Sequence, residues 1–309
     1  THYSPDSAVY LDIFTYKINA TYSHDYFIRA LQKLIDAHPI FRTTFHLDTY
    51  STPLQIVHES MSPRVDVKNL STLNRKDQDK KLKEWIENQK KQSFDFEKGP
   101  LFRITIHHLS DNLFNIGLAF HHAILDGWSV ATFITTLLLI YSDLLKGKFT
   151  ALSFNGDYRK FIELEVAAVS SKDQERFWKN YLDGFEHTEI PRWYGDQFND
   201  NDFMTHPAIF DKTLTTKLIE LSKKLNVALD VILLTALVKL LSIITSSEEV
   251  LTGVVFNGRP AIPNIENTLG LFLNTLPFRQ KLIKGHALNI RRRHMVSGFE
   301  LPVRKESFQ

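Results

Sequence analysis

The spacing of apolar residues changes character several times along the first half of this chain. From Tyr10 to Ile18, β-branched and aromatic residues crowd together and predict a strand. From Ser23 or His24 onward, Phe27, Leu31, Leu34 and Ile35 recur at helical spacing, and Pro39 ends that helix. Phe41 to Phe45 returns to strand chemistry. Arg75 to Gln92 is dense in Lys, Glu and Asp, with Leu82, Trp85 and Ile86 as its apolar marks. This predicts a surface helix with a solvated charged face. After the turn signal Gly99-Pro100, Leu101 to Leu109 and Leu113 to Phe120 predict a hairpin closed by Ser110-Asp111-Asn112, and Val130 to Leu145 an apolar helix.

The second half repeats the mixture without a fixed repeat. Gln174 to Asp183 carries Phe177, Trp178, Tyr181 and Leu182 on one side of a predicted helix. Gly195 to Phe203 is expected to be a flexible loop. Two helices, Leu214 to Leu225 and Leu229 to Ile244, meet at Asn226, and Val250 to Phe256 and Leu271 to Phe278 are expected strands. The order implies an α/β fold with α+β layering in two lobes, residues 1–150 and 151–309. Lys281 to Gln309, with Arg291-Arg292-Arg293, shows no clear periodicity.

Composition narrows the class. A formal charge of +2 does not point to nucleic acid or a membrane surface, and the absence of cysteine excludes disulfides, thiolate metal sites and a cysteine nucleophile. It suits a reducing, cytoplasmic setting. The longest apolar run, Ala131 to Tyr141, contains three threonines and is expected to be too short to cross a bilayer. The chain opens Thr1-His2-Tyr3-Ser4, without an initiator Met or a signal sequence, and reads as a piece of something longer.

Chemistry concentrates at His121-His122-Ala123-Ile124-Leu125-Asp126-Gly127-Trp128-Ser129, between a predicted strand and a predicted helix. Adjacent residues on a strand face opposite ways, so one of the two histidines at most faces a given cleft. Gly127 allows close approach to the backbone, and Ser129 stands where it could cap the helix. An imidazole at a strand end beside the free N–H groups of a helix start suits acyl transfer. It can position or deprotonate a nucleophile while N–H groups hold an oxyanion. Most His-His pairs on strands are structural, and His107-His108, which lacks the following Asp-Gly, is read as one of these.

The stretch from His121 to Ser129 resembles the HHxxxDGWS signature of nonribosomal peptide synthetase condensation domains, within the chloramphenicol acetyltransferase-like superfamily. Four further stretches are similar in the same order. They are Ala37 to Phe45, Ser93 to Arg103, Phe177 to Leu182, and the pair Asn257-Gly258-Arg259-Pro260 and Leu269 to Arg279. Ala37 stands where the family usually has Arg, and the family's opening motif is missing. No segment after about residue 280 matches the family's continuation, so the second lobe is expected to be incomplete.

The resemblance implies two lobes in a V with a tunnel open at both ends. Donor and acceptor peptidyl carrier proteins would present substrates there on phosphopantetheine arms. The domain itself would then bind no cofactor and no metal, and an adenylation domain would be a neighbour. It implies amide-bond formation with His122 as the catalytic residue, the Gly127 N–H at the oxyanion, and His121 turned away into packing. Asp126 would be a buried structural carboxylate with a cationic partner, for which Arg279 is ranked above Arg42 and Arg259. Asn274 and Thr275 are expected to line the cleft, and Trp128 to pack the core. A coenzyme A-dependent acyltransferase shares HHxxxDG, but the NGR and NTLPFR segments argue against it. Epimerization domains usually differ at Trp128, and heterocyclization domains replace the histidines by aspartates. A non-catalytic docking domain would usually have lost His122.

Overall fold

The computed structural model describes residues 10–148, 156–186, 190–191 and 207–282. The predicted loop Gly195 to Phe203 and nearly all of the stretch after Lys281 lie outside them. The chain divides into two compact units. One comprises Thr1–Leu164 with Asn257–Leu273, the other Glu165–Phe256 with Asn274–Gln309. Where the sequence reading divides the chain once near residue 150, the folded chain divides at 164 and returns 257–273 to the first unit.

The first unit is organised by a four-stranded sheet in the order β1-β6-β5-β4, from β1 (Leu11–Ile18), β4 (Val65–Asn69), β5 (Phe102–Ser110) and β6 (Leu113–His121). β6 runs antiparallel to both β1 and β5, and β4 runs parallel to β5. Alternation along β6 sorts side chains onto two faces. Phe114, Ile116, Leu118 and Phe120 join a core with α1 (His24–Ala37) and α3 (Gly127–Leu145), where Phe27, Leu31, Phe133 and Leu137 are fully buried. The opposite face is covered by α2 (Arg75–Lys90), whose Trp85 donates its indole N–H to Thr105 Oγ1 at 3.1 Å. Gly117 makes that possible, because a Cβ there would stand 2.5 Å from the Trp85 ring.

Several expectations need adjustment. The strand predicted from Phe41 begins only at Thr43. Pro39–Arg42 forms a 3-10 turn, for which Pro39 supplies a preset φ, and this turn places Ile40 and Phe41 in the core. β2 (Thr43–His46) then pairs antiparallel with β3 (Leu54–Val57), which the sequence reading missed, as it missed β4. Both are short, and Leu54, Val57 and Val67 are exposed, so neither shows a clear apolar alternation. α4 (Tyr158–Val169) was also missed, since Phe161 is its only buried residue. The apolar run near Ala131 extends into the 19-residue α3, long and apolar enough by length and composition to cross a membrane. Here its Phe133, Ile134, Leu137, Ile140 and Tyr141 form a core stripe instead.

The second unit contains α5 (Lys172–Leu182), α6 (Lys212–Leu225), α7 (Leu229–Thr245), and the two-stranded sheet of β7 (Glu249–Asn257) and β8 (Leu273–Lys281). Asp211 caps α6 by accepting the Leu214 N–H at 2.7 Å, and Asn226 ends it in the left-handed region with φ 51°, at the predicted junction. Among the described residues its buried core consists of Val231, Val238, Val250, Phe278 and Leu282.

Candidate active site

The site is built where β6 runs out and α3 begins. The His121 N–H donates to Leu101 O at 2.9 Å and the His122 N–H to Tyr10 O at 2.8 Å, so the backbone is held through the last strand residue and the one just past it. Opposite directions then separate their side chains. His121 is 8% exposed, lies edge-on to Phe96 with ring centroids 4.6 Å apart, and accepts the Ala123 N–H on Nδ1 at 3.1 Å. Its ring is tied to local structure. His122 keeps 31% of its side chain accessible, and its Nε2 stands 3.8 Å from Asp12 Oδ2 on β1. The ring available to a substrate is therefore that of His122.

Four residues later the chain is locked. Asp126, 1% exposed, is the N-cap of α3, with Oδ1 accepting the Ser129 N–H at 2.7 Å. Its other oxygen accepts the Phe272 N–H at 3.1 Å, and its own N–H donates to Gly270 O at 3.1 Å. Ser129 uses its hydroxyl fully. It donates to Gly270 O at 2.8 Å and accepts from the Gly270 N–H at 3.1 Å and Arg259 Nη2 at 2.8 Å. The buried carboxylate does have a cationic partner, but the ranking is overturned, for Arg259 Nη2 lies 3.4 Å from Asp126 Oδ1. Arg259 is anchored by donating to Ile265 O and Thr268 O, both at 2.7 Å, with its guanidinium 3.9 Å above the Phe272 ring. Burial pulls its pKa below the ordinary arginine value, and Asp126 acts in the opposite sense.

Arg279 and Arg42 are committed elsewhere. Arg279 lies in the second unit, donating to Glu249 Oε1 at 2.8 Å and to Tyr181 O and Asp183 O. Its hydrogen bond to Glu249 raises its pKa and lowers that of Glu249. Arg42 donates to Ile35 O at 3.1 Å, to Glu59 O at 3.1 Å and to His58 O, tying the end of α1 to the segment after β3. Arg259 was underrated because its role depends on a return of the chain. Residues 257–273 form a loop of the first unit in which the Gly258 N–H donates to Phe272 O at 2.8 Å. A Cβ on Gly258 would stand 2.6 Å from that same oxygen, so only glycine fits.

Trp128 also departs from expectation. It is 55% exposed instead of packed in the core, with its indole N–H donating to Glu266 O at 3.0 Å. It occupies the first turn of α3 on the side away from the buried Ser129, ahead of the apolar stripe that begins at Val130. A Cβ on Gly127 would meet nothing within 4 Å, so the space over the helix start is open. At the first helical positions, the Gly127 and Trp128 N–H groups have no intrahelical acceptor. Asn274 and Thr275 are exposed on β8 in the second unit, with the Thr275 methyl over Gly253 of β7.

Sequence reasoning missed Asp12, Phe96 and the backbone of Gly270 and Phe272. Only the pairing of β1 with β6 could have brought out Asp12, since Leu11 lies opposite His121 and Asp12 opposite Phe120. In the other pair, His107-His108, the first ring is packed inside the sheet. His107 is 1% exposed against Trp85, with Nδ1 3.4 Å from Asn115 Nδ2, and its pKa is lowered to about 4, first by burial and then by Lys68.

Comparison with known proteins adds three findings. The family model described as Condensation domain matches residues 1–295. The AMB antimetabolite synthetase of Pseudomonas aeruginosa is 31% identical over 280 residues, which is 89% of this chain and 13% of that protein. Gramicidin S synthase 2 of Brevibacillus brevis is 28% identical over 256 residues, or 81% of this chain and 6% of that protein. The chain thus spans a small fraction of these relatives. Among solved structures, the first condensation domain of the calcium-dependent antibiotic synthetase aligns with a TM-score of 0.71 at 19% identity, covering 92% of this chain and 67% of that one. The starter condensation domain of the rhizomide synthetase aligns with 0.73 at 18% identity, covering 95% and 68%. These likenesses establish a shared fold.

Proposed function

The chain belongs to the condensation-domain family, and on that premise we propose that it catalyses amide-bond formation between a donor acyl thioester and an acceptor amine within a nonribosomal peptide synthetase. The observation that carries the reading is the contrast inside one dipeptide. His121 is buried and engaged through Nδ1, while His122 remains accessible at the start of a rigid turn.

In this reading His122 orients the acceptor nitrogen and takes its proton, before or after attack on the thioester carbonyl. The open N–H groups at Gly127 and Trp128 lie at the positive end of α3, and the Gly127 N–H is assigned to the developing oxyanion. Asp126, Ser129 and Arg259 do no chemistry. Their hydrogen bonds hold the strand end, the turn and the helix start in one arrangement, which is what a preorganised site requires. Both substrates arrive on phosphopantetheine arms of carrier proteins, an adenylation domain adjoins this one, and the domain supplies no cofactor of its own. A cytoplasmic location fits this chemistry.

The test is a reconstitution of the synthetase that contains this chain, with donors offered on the carrier protein and on coenzyme A. Product from the carrier-bound donor that is lost in His122→Ala supports the reading. Equal or faster turnover of the coenzyme A donor would favour the free-standing acyltransferase instead.

A further inference from the structure

Asp12 is an acidic side chain at the site that none of the recognised motifs includes. It sits on β1 opposite Phe120, on the strand face that continues to His122, and its Oδ2 is 3.8 Å from His122 Nε2. The two side chains are 40% and 31% exposed, and among the described residues no Lys or Arg lies within ion-pair distance of Asp12. An accessible carboxylate beside the reactive nitrogen of a base is an incomplete binding site for a cation.

Geometry says which cation fits. One nitrogen placed about 2.9 Å from each of two acceptors this far apart subtends roughly 80° between them, close enough to the tetrahedral angle for two slightly bent hydrogen bonds. A primary ammonium offers three such N–H donors, whereas a hydroxyl offers one and no charge. We infer that Asp12 Oδ2 and His122 Nε2 form a two-point cradle for the acceptor's ammonium, and that Asp12 selects amine over hydroxyl acceptors. This rests on the role proposed for His122.

The proton balance is consistent with such a cradle. The ammonium enters with three protons and hands the first to His122 Nε2, freeing the lone pair that forms the C–N bond. The C–S bond then breaks, the thiolate takes a second proton to leave as a thiol, and the third stays on the amide nitrogen. One proton in total is released to solvent. Asp12 exchanges no proton in this sequence and faces a positive charge at each stage, first the ammonium and then the imidazolium.

Titration calorimetry of this chain with alanyl-pantetheine, amide-linked so that it cannot hydrolyse, and with its N-acetyl derivative tests the cradle without catalysis. Asp12→Asn should bind the free amine about tenfold more weakly, as for loss of one charge-assisted hydrogen bond, and the N-acetyl probe within about twofold of wild type. Asp12→Glu should recover part of the loss. Equal weakening of both probes, or equal affinity of the wild type for the two, overturns the inference. If His122→Ala abolishes amide formation while Asp12→Asn shows no amine-specific loss, the cradle fails and the role of His122 stands. Amine-specific loss in Asp12→Asn with amide formation retained in His122→Ala would sink the histidine's role and leave the ammonium site standing.

Discussion

The hairpin of β5 and β6 carries two adjacent histidine pairs, His107-His108 and His121-His122, and they differ in everything except alternation. In each pair the first ring is buried on the face covered by α2 or Phe96 and the second is partly exposed. His108 lies within the ladder, opposite Phe114, and its carbonyl accepts the Leu70 N–H at 2.8 Å. His122 lies just past the end of β6, with only a four-residue turn before the start of α3. Alternation turns the two rings to opposite faces, and the packing of Trp85 or Phe96 on one face decides which ring is buried. On the proposed function, what makes an outward ring useful is a strand end that leads through a short turn into a capped helix start, where N–H groups without an intrahelical acceptor accompany the imidazole.

The largest expected effect breaks the pairs apart by activity. His122→Ala should lower amide formation by about 10²–10⁴-fold, the usual worth of a positioned acid-base group, while His108→Ala leaves the rate near wild type. Comparable rates from the two folded variants would remove the functional distinction. Next in size is the frame that only the second pair possesses. Asp126→Ala leaves the buried Arg259 without its counter-charge and should cost about 3–5 kcal/mol, read as a lower melting temperature or insolubility. In a double-mutant cycle, Asp126→Asn with Arg259→Gln should lose less than the sum of the single changes. A stable but inactive Asp126→Ala would instead give the carboxylate a direct part in the chemistry.

A smaller effect, visible in pH dependence, belongs to the first pair. His107 is held neutral down to about pH 4, while the unfolded chain takes up its proton near the ordinary value of about 6.5. The contribution of this residue is therefore complete above about pH 6.5 and is lost as pH falls towards 4, by up to about 3 kcal/mol. His38, also lowered to about 4 by burial, adds a loss of the same sign. Urea unfolding at pH 7 and pH 4.5 should show a shallower decline in His107→Asn than in wild type. The smallest change is expected at His121. His121→Gln gives up the edge-on contact with Phe96 and should cost about 1–2 kcal/mol, with catalysis falling far less than in His122→Ala. Equal catalytic loss from the two would reverse the assignment within the dipeptide.

Local periodicity was enough to locate α1, α2, α3, the β5–β6 hairpin and the helix pair meeting at Asn226, because each carries its pattern in consecutive residues. The motif from His121 to Ser129 was legible for the same reason, and strand alternation turned its two histidines to opposite faces, while the choice of His122 came from the family resemblance. β3, β4 and α4 bury too little to leave a period in the sequence. The partner of Asp126 was beyond local reasoning altogether. Arg42, Arg259 and Arg279 are chemically equivalent candidates, and what separates them is where the chain goes. Only the fold returns residues 257–273 to the first unit, with a glycine at 258 so that its backbone can lie against Phe272. Asp12 became part of the site in the same way, through the register of β1 on β6. Sequence spells out the residues whose roles depend on near neighbours. Which distant charges meet depends on chain path and strand register, and these are properties of the folded chain that spacing along the sequence does not encode.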